Sequence, residues 1–66
     1  MEKLTDREIT ILKYITQGFE NREIGQKMFI SIHTVKAHIC SIMKKLNAKN
    51  RTNAVFIAYK NNIICL

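Results

Sequence analysis

Apolar residues recur along this chain with a helical period, and polar residues with capping chemistry punctuate them. Leu4 precedes the polar run Thr5-Asp6-Arg7-Glu8, after which Ile9, Ile11, Leu12, Ile15 and Phe19 keep helical spacing on one face. Thr5 and Glu8 have the spacing of a capping box. The Thr hydroxyl accepts from the third helical amide while the Glu carboxylate reaches back to the capping amide. Leu4 and Ile9 occupy the two hydrophobic staple positions around that box. Gly18 tolerates the left-handed backbone that stops a helix. The pattern predicts a helix over about residues 6–17.

A second, short helix follows over 21–28, with Asn21 as its cap and Ile24 and Met28 one turn apart facing inward. Gly25 inside it costs about 1 kcal/mol relative to Ala, which marks the close approach of another backbone. Phe29-Ile30 forms a turn, and Ser31 opens a third helix over 31–46. Its stripe of Ile32, Val35, Ile39, Ile42 and Leu46 is the expected core face. The opposite face carries His33, Ala37, Cys40, Ser41 and Lys44, flanked by Lys36 and Lys45. After the loop Asn47-Ala48-Lys49, Asn50 caps a fourth helix over 51–60. Ala54, Val55 and Ala58 point one way in it, Asn53, Phe56 and Lys60 the other, with Ile57 near the boundary. The fold class is all-α, a four-helix bundle-like helix-turn-helix in one domain over 1–66.

Composition agrees with that reading. A chain of 66 residues with 47% apolar residues, no Pro and two Gly suits helices rather than turn-rich sheets, and it is too apolar for disorder. The longest apolar run, Ala54 to Tyr59, is far too short to span a bilayer, and no signal peptide is readable. Cys40 and Cys65 are too few for a disulfide framework, so a reducing compartment, the cytoplasm, is expected. The charge changes the picture more. In residues 1–30 five basic residues balance five acidic ones, whereas 31–66 hold Lys36, Lys44, Lys45, Lys49, Arg51 and Lys60 and no acid. A one-signed half-chain is the electrostatic footprint of a polyanion binder.

A short helix, a tight turn and a longer basic helix make the order of a helix-turn-helix. A helix fits the major groove of duplex DNA, and the first turn opened by Ser31 offers free amides and a positive dipole end to phosphate. His33 lies exposed on that turn. Small Ala37 and Ser41 allow close approach to base edges, while Lys36 and Lys44 can reach bases or phosphates.

The motifs Leu4-Thr5-x-Arg7-Glu8, Gly18, Asn21-x-Glu23-Ile24-Gly25, Ile30-Ser31-x-x-Thr34-Val35-Lys36-x-His38, Lys45-Leu46 and Arg51-x-x-Ala54-Val55 resemble the LuxR-type (GerE-type) bacterial DNA-binding domain. The likeness runs from Leu4 to about Ile64. It implies a transcriptional regulator, or the output domain of one such as a response regulator, whose third helix enters the major groove and whose fourth helix dimerises. By position it places Lys36, Ala37 and Cys40 at the base-reading surface and Thr34, Lys44 and Lys45 near phosphates. Cys40 falls where some relatives carry Lys or another polar residue, so one direct base contact is lost or becomes apolar. Asn62 falls where relatives often have Gly, and Asn also tolerates the left-handed conformation. The candidate dimer surface is Asn53, Phe56, Ile57 and Lys60, since a core this small leaves Phe56 no second core to join. Double-stranded DNA is the expected partner, with a homodimer on DNA, RNA polymerase as a further candidate and no membrane.

Other chemistry finds little footing. His33, His38 and Cys40 lack metal-ligand spacing and no Cys-x-x-Cys exists, so neither a metal nor a cofactor is expected. No nucleophile–base pair or phosphate-cradling Gly loop is present, which points away from an enzyme. Oxidation of an exposed Cys40 would place bulk or charge against the groove. His38 lies about 80° from the core stripe, which favours a structural, hydrogen-bonding role over a DNA contact. Glu8 and Arg51, the charged residues of two matched motifs, are expected to pair across the domain. The rival function classes are a protein-interaction module using the Phe56 face and a non-specific DNA binder using the basic half.

Overall fold

The computed structural model describes residues 2–65. Four helices follow in order: α1 (Asp6–Thr16), α2 (Asn21–Met28), α3 (Ile32–Leu46) and α4 (Arg51–Lys60), with no strand among the described residues. The boundaries lie within a residue of those expected, because the caps decide them. Thr5 and Glu8 close the capping box reciprocally. The Glu8 N–H donates to Thr5 Oγ1 at 3.1 Å, and the Thr5 N–H donates to Glu8 Oε1 at 2.8 Å. Ser31 Oγ accepts from the Thr34 N–H at 3.1 Å. At α4 two asparagines act at the helix start: the cap Asn50 Oδ1 accepts from the Asn53 N–H at 2.8 Å, and Asn53 Oδ1 accepts from the N–H of Lys49, the residue before the cap, at 2.9 Å. Only α2 departs from expectation. Its cap is Glu20, whose N–H donates to Glu23 at 2.9 Å, while Asn21 is the first helical residue and turns its side chain to Arg51.

The helices wrap one core. Leu4, Ile11, Leu12, Ile24, Val35, Ile42, Leu46, Ala54, Ala58 and Ile64 are buried. α3 runs through the middle, against α1, α2 and α4 in turn. Half-buried Tyr14 and Phe19 meet edge to face at 5.7 Å beside the core, and the Lys27 ammonium sits 4.6 Å from the Phe19 ring centre. One core expectation needs correction. Ile32 is 37% exposed, because it borders an open groove shared with Ile15, Phe19 and Arg51 rather than the closed core. Ile64 is buried although it follows α4; Asn62 in the left-handed conformation (φ 58°) turns the chain back so that Ile64 covers the core.

Gly25 is the geometric pivot between α2 and α3. A Cβ there would stand 2.8 Å from the Ile30 carbonyl oxygen and 3.6 Å from Val35 Cγ2. No other residue type allows the two backbones to come this close without a shift. Phe29 ends α2 in the left-handed conformation (φ 57°) and is 94% exposed, so it gains nothing from burial to offset an unfavourable backbone state.

Candidate nucleic-acid interface

The outward side of α3 is built from what its core stripe leaves over. Val35, Ile42 and Leu46 are buried and Ile39 is half-buried. His33, Thr34, Lys36, Ala37, Cys40 and Lys44 are thereby exposed, as is the cap Ser31, whose hydroxyl lies 3.0 Å from that of Thr34. An open groove is lined by Lys36, Ile39, Cys40, Met43, Lys44, Asn47 and Ala48. Among the described residues none of the Lys36, Ala37, Cys40 and Lys44 side chains makes an internal hydrogen bond. These side chains do no visible work for the fold, while the backbone beneath them is fixed.

What fixes it is a buried charge in the first turn of α1. Glu8 is only 3% exposed. Its Oε1 accepts from Lys45 Nζ at 2.8 Å and its Oε2 from the Ser41 hydroxyl at 2.8 Å. Together with the Thr5 amide, one carboxylate therefore ties the start of α1 to two successive turns of α3. Burial alone would push its pKa up. The Lys45 hydrogen bond, the Thr5 amide, the Ser41 hydroxyl and the Lys45 charge outweigh that and hold it at about 2. Glu8 does not pair with Arg51, contrary to expectation. Arg51 instead donates from Nη1 to Asn21 Oδ1 at 2.6 Å and from Nη2 to the Phe19 carbonyl at 2.9 Å, pinning the α1–α2 turn to the start of α4.

These bonds divide the sequence-derived surface. Ser31, His33, Thr34, Lys36, Ala37, Cys40 and Lys44 lie together on the exposed side, whereas Ser41 and Lys45 are half-buried with their polar atoms on Glu8. His38 is half-buried and has no hydrogen-bond partner among the described residues. On α4, Phe56 is 61% exposed and Lys60 is exposed, Ile57 packs partly on the core, and the Asn53 side chain serves the helix start. No cluster of three metal-ligating side chains occurs among the described residues. No helix among them is long and apolar enough to cross a membrane.

Comparison with known proteins places this arrangement. The GerE model, "Bacterial regulatory proteins, luxR family", matches residues 2–58. The chain is 46% identical over 63 residues to the transcriptional regulatory protein LiaR of Bacillus subtilis (strain 168), covering 96% of this chain and 30% of LiaR. It is 44% identical over 63 residues to the response regulator protein VraR of Staphylococcus aureus (strain Mu3 / ATCC 700698), again covering 96% of this chain and 30% of VraR. The crystal structure of the response regulator ChrA of a heme-sensing two-component system matches with a TM-score of 0.91 at 42% identity, over 97% of this chain and 32% of that one. The chain thus spans about 30% of the length of the curated relatives it matches. The sequence match over residues 2–58 and the shared fold over 97% of the chain agree, and the chain belongs to the luxR family of bacterial regulatory proteins as a helix-turn-helix domain of a DNA-binding, non-enzymatic class.

Proposed function

We propose that this chain binds a specific site on double-stranded DNA as a bacterial transcriptional regulator or the output domain of one. α3 lies in the major groove. One observation carries the reading: Lys36, Ala37, Cys40 and Lys44 are exposed together on a helix whose half of the chain holds no acid. Phosphate contacts from Ser31, His33, Thr34 and Lys44 supply affinity and position. Lys36, Ala37 and Cys40 face the base edges and supply discrimination. Ser41 and Lys45, already committed to Glu8, hold α3 at its angle rather than touching phosphate. The exposed Phe56, with Asn53, Ile57 and Lys60 around it, pairs two copies on the DNA. This activity belongs in the bacterial cytoplasm, where RNA polymerase is the partner through which such a protein acts.

Selection from a random duplex pool at about 150 mM salt tests the reading. The expected result is an enriched motif of two half-sites about 10 bp apart. A single half-site would remove the dimer and keep the readout. Absence of any motif, with binding that vanishes as salt rises, would leave a basic polyanion binder and refute sequence-specific recognition.

A further inference from the structure

We infer that the centre of the α3 surface reads the C5 methyl group of a thymine, and that Cys40 sets this preference. The inference rests on the duplex-DNA reading above. Ala37 and Cys40 are exposed and three residues apart, so their side chains are neighbours on the helix surface. Lys36 and Lys44 each stand four residues from Cys40, about 6 Å along the axis on either side. The surface is therefore small and apolar in its middle and cationic at its ends.

Each base edge in the major groove asks for a different partner. Guanine needs donors, adenine a paired donor and acceptor, cytosine an acceptor, and thymine adds a methyl group that gains from apolar contact. Ala37 offers no polar atom. A thiol is a weak donor and weak acceptor that packs as a small hydrophobe. Residues 31–66 hold no carboxylate to take a proton bond from cytosine. Ser41 is the only hydroxyl between Lys36 and Lys44, and it donates to Glu8 Oε2 at 2.8 Å, so it is withdrawn as a competing polar reader. His38, the other polar side chain in that stretch without a formal charge, is half-buried. Of the groups a base pair can present, the thymine methyl is the one that matches what remains. Two small side chains also let the helix backbone come close enough for that methyl group to be enclosed.

The test uses the whole 66-residue chain and its selected duplex. Each thymine is replaced in turn by deoxyuridine, which removes the methyl group and leaves every hydrogen-bonding atom, and binding is followed by fluorescence anisotropy. One position per half-site should lose about fourfold in affinity, the worth of one enclosed methyl group. Cys40→Lys, an exposed change that leaves the core untouched, should select guanine at that same position and show no uracil penalty there. A wild-type motif whose thymines all tolerate uracil within about twofold would overturn the methyl reading alone. So would a Cys40→Lys variant that still selects thymine at that position. If the wild-type chain selects no motif, specific DNA recognition itself fails, and the methyl reading falls with it.

Discussion

Replacing Glu8 by Gln removes one charge from the least exposed ionisable side chain among the described residues and keeps its shape. The carboxylate is 3% exposed and receives three bonds, from Thr5, Ser41 and Lys45. Its pKa falls from the ordinary 4.5 to about 2, which corresponds to about 3 kcal/mol of preference for the ionised form in the folded state. Gln keeps an acceptor for the Thr5 amide and a neutral partner for Ser41, but leaves the Lys45 ammonium, 20% exposed, without its counter-charge. The expected loss at neutral pH is therefore about 2–3 kcal/mol. The sign with pH follows from the lowered pKa: the stabilisation is complete above the ordinary value and disappears as pH falls from there towards about 2. Urea unfolding of both proteins, followed by circular dichroism across that range, measures it. The gap between wild type and Glu8→Gln should be about 2–3 kcal/mol at neutral pH and close to zero near the folded-state pKa. A gap below about 0.5 kcal/mol at neutral pH, or one that does not change with pH, would refute the view that this ion pair holds α1 to α3.

Other substitutions probe other joints of the fold. Gly25→Ala adds a Cβ 2.8 Å from the Ile30 carbonyl, and despite the better helix propensity of Ala it should destabilise by about 1–3 kcal/mol, read as a lower thermal midpoint. Phe29→Asn should raise stability by about 0.5–1 kcal/mol, because Asn accepts the left-handed state and the 94%-exposed ring gives up no burial. Phe56→Asp should leave circular dichroism and the thermal midpoint close to wild type while abolishing any pairing seen by sedimentation on the operator duplex. Unfolding would instead place Phe56 in the core.

The caps of α1, α3 and α4 were legible because each is a local chemical device within four residues of sequence, and Gly25 announced a tight crossing because nothing else explains a Gly there. Helical spacing also separated the buried stripe of α3 from its exposed side. It could not say which neighbour lies over the edge of that stripe. Ser41 and Lys45 sit 33 and 37 residues from Glu8, and only the packing of α1 across α3 brings the three together, so the motif pattern alone pairs Glu8 with the wrong cation. The α2 cap was misplaced for a related reason: Asn21, the better capping residue by type, is claimed by Arg51 from α4. Neither the burial of Ile64 nor the exposure of Phe29 has a local signature. One depends on where the chain returns after α4, and the other sets a bulky ring in a conformation that Gly or Asn adopts more readily.

The contact between Gly25 and the Ile30 carbonyl has a bearing on how such a domain changes over generations. Because the crossing of α2 and α3 is set by the close main-chain approach at Gly25, and the angle of α3 by Glu8 with Ser41 and Lys45, the aim of α3 does not depend on the identity of Lys36, Ala37, Cys40 or Lys44. Lys36, Ala37, Cys40 and Lys44 are exposed and carry no internal hydrogen bond, so exchanging any one of them should change folding stability by no more than about 0.5 kcal/mol. A lineage carrying this domain can drift from one target to another in single steps, and a designer can follow the same route by varying those four positions while holding Gly25 constant.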